Sequence, residues 1–215
     1  MLLAIDTSAG TTVAVVDRDR GIIAERSSAD TRAHSEVIGD FIAGCLADSG
    51  VPTTAISCVV AGMGPGPFTG LRVGIAAAQA FALGAGVPVV RVVSHDAIAA
   101  DLFAAELAAT GSTGPLLVVT DARRREVYWS AYRGLDDAGL PARDGEPGLA
   151  RPAELAEVVP GFDGYRRVDA TEVSGGALGM LAERMFASGR EFASATPLYL
   201  RSPDVTVPGA PKRVS

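Results

Sequence analysis

The chain contains no asparagine, so it offers no acceptor for N-linked glycosylation. Lysine occurs once, at Lys212, against 18 arginines. A phosphate-binding loop of the GxxxxGK[ST] type therefore has no lysine to use, and a buried Schiff-base lysine is all but excluded. The two histidines, His34 and His95, head separate segments, so an HxxxH metal motif cannot be built and no metal site is expected. The two cysteines, Cys45 and Cys58, sit in apolar contexts and read as reduced, buried thiols. No uninterrupted apolar run approaches the roughly 18 residues of a spanning helix, so no membrane association is expected. Nor does a basic stretch precede the apolar run at residues 2–6, so no signal peptide is expected.

What is present is a globular composition. The 215 residues are 48% apolar and 20% charged, with a mean hydropathy of +0.26. The net charge of −6 argues against a protein that grips a nucleic-acid backbone alone, because that task needs a basic face. It leaves room for service in a larger RNA-processing complex.

The order of elements predicts an α/β fold. Apolar and β-branched runs at residues 2–6, 11–17 and 21–27, joined by short polar turns, predict an antiparallel meander. His34 to Ser49 carries Val37, Ile38, Phe41, Ile42, Cys45 and Leu46 at helical spacing. A buried strand at residues 57–61, a helix over 70–83 capped by Thr69, a strand at 88–93 and a helix capped at about Ser94 and running to Ala109 follow. Residues 116–121 and 126–133 predict two further strands, and 152–158 and 176–188 two helices. The expected division is an N-terminal lobe over 1–112, a smaller lobe over 113–201 and an extended or disordered tail over 202–215.

Residues 62–74 form the most informative segment, a glycine-rich stretch between a buried strand and a helix. Such a junction presents free backbone N–H groups at the positive end of a helix dipole and suits an anion. A tight turn stiffened by Pro65 and Pro67 reads equally well. Behind the loop Gly70, Gly74 and Ala78 recur every four residues, with Ala77 beside them. Glycine inside an exposed helix costs roughly 1 kcal/mol against alanine, so another backbone is expected close by. That neighbour is either the chain's own sheet or a helix of a partner. Asp6-Thr7-Ser8, at the end of the first strand, could hold a metal–phosphate or simply cap a turn. Arg123-Arg124-Arg125 reads as a solvated turn or as an anion-contacting patch. Ser94-His95-Asp96 contains the residue types of a hydrolytic triad, but three consecutive residues cannot align as one, and a helix start explains them.

Asp6-Thr7-Ser8, GPGPFTGLRVG at residues 64–74, DARRREVYW at 121–129 and PLYLR at 197–201 together resemble the TsaB (YeaZ) family, over essentially the whole chain and in the same order. The chain departs from the usual GPGSFTG at Pro67, where a hydroxyl and an N–H are lost; this favours a scaffold over a phosphate-binding loop. The resemblance implies the actin/Hsp70/sugar-kinase-like fold, with two βββαβα-type lobes and mixed sheets. It implies a cytoplasmic, non-catalytic subunit for tRNA N6-threonylcarbamoyladenosine formation that dimerises with TsaD, lets the ATPase TsaE dock and reaches tRNA only through the complex. The first two long helices would form the partner surface, with His34, Val37, Ile38, Phe41, Gly70, Arg72, Gly74, Ala77 and Ala78 in it; Gly74→Leu would then block association and spare the fold. No cofactor is required by the chain itself, and ATP would be bound by partners or at the interface. Asp6, Thr7, Ser8, Gly64, Gly66 and Arg123 would be a vestigial nucleotide or anion loop. A homodimer is the alternative state of the isolated chain, and a stand-alone ATPase or small-molecule kinase using Asp6 is the alternative function.

Overall fold

A computed structural model describes residues 1–201; the expected tail at 202–215 lies outside the described residues. The first strand, β1 (Leu2–Asp6), is apolar on both faces and completely buried. It pairs antiparallel with β2 (Thr11–Asp17), which pairs antiparallel with β3 (Gly21–Ser28). On its other edge β1 runs parallel to β4 (Cys58–Gly62), and β4 parallel to β5 (Val89–Val92). The mixed sheet therefore has the order β3-β2-β1-β4-β5.

Helices cover both faces of this sheet. Leu3, Ile5, Val13 and Val15 point into one core with α1 (His34–Ser49) and α2 (Phe68–Ala85). Leu2, Ala4, Ala14 and Val16 point the other way, toward α3 (Ser94–Thr110) and α5 (Gly175–Ser188). The period-2 alternation of strand side chains thus splits one apolar run between two cores.

The second sheet is a shortened repeat of the first. It is built from β6 (Leu116–Asp121), β7 (Val127–Leu135), β8 (Pro141–Arg143), β9 (Gly148–Ala150) and β10 (Arg166–Asp169), in the order β10-β6-β7-β8 with β9 also on β7. Its inner face, through Leu116, Val118 and Tyr132, packs with Phe103 of α3. Its outer face is closed by α4 (Leu155–Val158), a single turn where the first lobe has a long helix. Helices α3 and α5 lie between the sheets, so α5, although late in the chain, packs across β1, β2 and β3. The segment after α5 runs along the first sheet, where the Ala193 N–H donates to the Arg91 carbonyl and the Leu198 N–H to the Met63 carbonyl, both at 2.9 Å, and then reaches the turn between β6 and β7 through Arg201.

Both cysteines are buried and free, as the sequence suggests; burial pushes the Cys45 thiol up to about 11, so it stays protonated. Two helix starts differ from expectation. Helix α2 begins at Phe68 after Pro67, with no side-chain cap, so Thr69 lies inside the first turn. Helix α3 begins at Ser94, whose hydroxyl is used elsewhere.

Candidate functional site

Asp6, Thr7 and Ser8 end β1, and their polar atoms are consumed inside the chain. Asp6 is buried, and one carboxylate oxygen accepts from the Ser8 N–H at 2.7 Å and the Ser8 hydroxyl at 2.6 Å. The other accepts from the Ser94 hydroxyl, which in turn accepts from the Gly64 N–H at 2.9 Å. Burial raises the pKa of Asp6, and the hydrogen bonds from Ser8 and Ser94 oppose that shift. Thr7 does something different. Its hydroxyl donates to the Gly70 carbonyl at 2.7 Å and accepts from the Gly74 N–H at 3.0 Å, so it straddles the two groups that close one turn of α2.

This insertion explains the small residues of α2. A Cβ on Gly74 would lie 2.3 Å from the Thr7 hydroxyl oxygen, and one on Gly70 would lie 2.8 Å from the Thr7 carbonyl. Gly70, Gly74 and Ala78 are buried against the chain's own sheet. Their placement in a partner surface is corrected accordingly, and Gly74→Leu would strike the fold itself. His34 and Ile38 are likewise buried. His34 does not cap α1; its Nδ1 pairs with the Thr11 hydroxyl at 2.8 Å, and burial with the nearby Arg123 charge lowers its pKa. Val37, Phe41 and Ala77 are half-buried, and Arg72 is exposed, its guanidinium 3.8 Å over the Phe68 ring. The outward stripe of α2 is instead Arg72, Ala76, Gln79, Ala80 and Leu83, the last 85% exposed. By length and composition α2 could cross a membrane, yet only 28% of it is buried in the fold, which leaves an apolar face without a partner among the described residues.

The glycine loop closes on Ser8 and Ser94. A Cβ at Gly66 would meet the Ser8 backbone at 2.8 Å, and the Ser94 N–H donates to the Gly64 carbonyl at 2.8 Å. Asp6, Ser8, Gly64 and Gly66 therefore come together as one knot. Arg123 faces that knot across a recess of about 180 Å³ lined also by Ser8, Thr31 and Pro67.

A larger cleft of about 580 Å³ opens beside it. Arg32, Arg123, Arg124 and Arg201 line it, with His34, Ser35, Pro67, Phe68, Thr69 and Tyr128, and no carboxylate lines it among the described residues. Arg123, Arg124 and Arg125 all have positive φ, at 62°, 52° and 65°. Each costs a non-glycine residue roughly 1–2 kcal/mol. The turn is held by its surroundings. The Arg123 N–H donates to Asp121 at 3.1 Å, and Arg201 clamps it from outside through the Ala122 carbonyl at 2.9 Å and Glu126 at 2.7 Å. Sequence reasoning finds Arg123 but not Arg32 or Arg201 as cleft residues. Arg201 was legible only as the end of the PLYLR motif.

Ser94, His95 and Asp96 go three separate ways. Ser94 serves Asp6, while His95 is buried between the Ser130 and Thr120 hydroxyls, each at 2.8 Å. Asp96 accepts from the Tyr132 hydroxyl at 2.8 Å and pairs with Arg143 at 3.2 Å. No group of three metal-ligating side chains occurs among the described residues.

Residues 10–144 match the family model of TsaD, tRNA N6-adenosine threonylcarbamoyltransferase. The chain is similar to an uncharacterized protein of Mycobacterium tuberculosis, at 38% identity over 94% of this chain and 92% of that one. It is 34% identical to the tRNA threonylcarbamoyladenosine biosynthesis protein TsaB of Escherichia coli, over 65% of this chain and 57% of that protein. Among solved structures, YeaZ from Pseudomonas aeruginosa superposes with a TM-score of 0.70 at 26% identity, over 93% of this chain and 99% of that one. Another Pseudomonas aeruginosa structure, of a protein described as similar to peptidase YeaZ, superposes with a TM-score of 0.72 at 26% identity over the same shares. The separate duties of Ser94, His95 and Asp96 lend that peptidase description no triad. With the mixed sheets, the glycine loop and the turn of Asp6-Thr7-Ser8 in these positions, the chain has the actin/Hsp70/sugar-kinase-like fold and belongs to the TsaB (YeaZ) family.

Proposed function

We propose that this chain is a cytoplasmic, non-catalytic subunit of the machinery that forms N6-threonylcarbamoyladenosine on tRNA. It pairs with a TsaD subunit through the outward faces of α1 and α2, enables TsaE to dock, and meets tRNA in that assembly. The observation that carries the reading is the apolar stripe Ala76, Ala80 and Leu83 on a helix whose inner stripe is already spent on the chain's own sheet. Exposed alanines permit close helix–helix approach, and Leu83 supplies an anchor. The engagement of every Asp6 oxygen within the chain supports a scaffold rather than an enzyme, because it leaves that carboxylate no free face for a metal–nucleotide. ATP, in this reading, belongs to the partners or to their interface. The same stripe explains a homodimer in isolation.

Light scattering on a sizing column, for this chain mixed with its cognate TsaD, tests the proposal. A one-to-one complex should replace the free species. Ala80→Glu, at an exposed site, should keep the unfolding temperature and weaken association by about tenfold or more. A wild-type chain that ignores folded TsaD but hydrolyses ATP, with the activity lost in Asp6→Ala, would establish the ATPase alternative instead.

A further inference from the structure

The outward face of α2 has two unlike ends. Arg72, Ala76, Ala80 and Leu83 share one stripe at helical spacing, with the charge at the N-terminal end and Leu83, 85% exposed, near the other. At 1.5 Å per residue the two ends stand about 16 Å apart. The apolar end supplies contact area, and area alone chooses neither a partner nor a direction. The charged end supplies that choice. Side chains on a helix lean toward its N-terminus, so residue 72 covers the patch around residue 68. The Arg72 guanidinium accordingly lies 3.8 Å over the Phe68 ring. Phe68 is backed in turn by Tyr199, with ring centroids 4.7 Å apart and planes tilted by 50°.

Tyr199 comes from the segment after α5, and its place is fixed on both sides. Before it the Leu198 N–H donates to the Met63 carbonyl at 2.9 Å, and beyond it Arg201 reaches the Ala122 carbonyl and Glu126. A helix and a distant segment thus combine to hold one guanidinium at the surface. Among the described residues Arg72 makes no ion pair. Stacking on a ring uses the face of a guanidinium and leaves its N–H fork for a carboxylate. A side chain already restricted in this way loses less entropy on pairing than a loose surface arginine. The rest of the stripe decides between anions. Ala76, Ala80 and Leu83 offer a sugar–phosphate backbone no polar contact, whereas small apolar residues beside an arginine suit a protein surface.

We propose that Arg72 is the charged anchor of the docking face and takes a carboxylate of the TsaD subunit, with Tyr199 positioning it through Phe68. The inference rests on the subunit role proposed above and adds the chemistry that this face selects in its partner. The test is the affinity of the full chain for its cognate TsaD, measured by titration calorimetry at low and high salt. The variants are Arg72→Gln, Arg72→Lys, Tyr199→Leu and the double variant Arg72→Gln/Tyr199→Leu. Arg184→Gln, at an exposed site of α5 on the other side of the sheet, removes the same charge as a control. Thermal unfolding first establishes that each variant folds. Arg72→Gln should weaken binding about tenfold and flatten its salt dependence, and the control should match the wild type. Arg72→Lys should still bind about threefold more weakly, because an ammonium keeps the charge and lacks the fork. Tyr199→Leu should weaken binding about threefold in the wild-type background and add nothing to Arg72→Gln, since it acts through that side chain. A folded Arg72→Gln chain with wild-type affinity and salt dependence overturns the inference and leaves the subunit role standing. So does an unchanged affinity for TsaD combined with a weaker hold of the complex on tRNA, which would assign Arg72 to RNA phosphate. Additive losses in the double variant overturn the positioning role of Tyr199. Failure of the wild-type chain to assemble with TsaD removes the subunit role and this inference together.

Discussion

The hydroxyl of Thr7 links three features that look unrelated in the sequence: the polar turn after β1, the glycine loop and the small residues of α2. Because it bridges the Gly70 carbonyl and the Gly74 amide, the helix must come within touching distance of the β1 turn, and no Cβ fits at Gly74. Gly74→Ala should therefore destabilise the fold by about 1–3 kcal/mol, as overpacking does. Thr7→Ala should remove much of that added cost in the double variant, because the two side chains would compete for one space. Urea denaturation of the two single variants and the double variant measures the coupling; additive costs would mean that Thr7 is not what the new methyl meets. The four-residue spacing of Gly70, Gly74 and Ala78 was plain in the sequence, but its direction was not. An inward and an outward small-residue stripe have the same period, and only the position of the β1 turn separates them.

Among the elements, those with strong periodicity were legible: the meander, the long helices α1, α2, α3 and α5, and the buried strands. The shrinkage of α4 to one turn was not, since its helical residues bury chiefly Leu155 and carry little pattern. The arginine cleft was only partly legible, because its walls come from residues near 32, 68, 123 and 201, and such juxtapositions depend on the whole topology. The turn between β6 and β7 is the element on which the cleft depends. Its backbone is closed by the Ala122 N–H to the Glu126 carbonyl and the Glu126 N–H to the Arg123 carbonyl, both at 3.0 Å, and it is clamped by Arg201. Arg201→Ala should leave the unfolding temperature nearly unchanged, since the ion pair is partly exposed. It should speed hydrogen exchange at the Ala122 and Glu126 amides by about tenfold, because local opening loses its outer clamp. Equal exchange in variant and wild type would show that the turn holds its left-handed form unaided.

At the scale of the whole molecule, the start of α3 joins the two lobes. Ser94 reaches Asp6 in the first sheet, His95 reaches Thr120 and Ser130 in the second, and Asp96 reaches Tyr132 and Arg143 beyond. Two of these groups are titratable and pull in opposite directions. Burial, reinforced by the Arg143 charge, lowers His95 to about 3 from an ordinary 6.5. Its contribution to stability is full above pH 6.5 and is lost as the pH falls, because unfolding then lets the imidazole take a proton. Burial raises Asp96 to about 6 from an ordinary 3.8, against the pull of Arg143 and Tyr132. Its contribution is full below pH 3.8 and is lost as the pH rises through 6. Between pH 6 and pH 4 the two slopes nearly cancel, each being about 1.4 kcal/mol per pH unit. Asp96→Asn removes one of them. Relative to the wild type, the variant should lose about 1.5 kcal/mol between pH 6 and pH 4.5, read from urea midpoints at the two values. All other titrating groups are common to both proteins and drop out of the difference. Parallel stability curves would place Asp96 at an ordinary carboxylate pKa and deny it this role. A steeper acid loss in the variant would show that the α3 junction holds the two lobes together evenly across mildly acid pH.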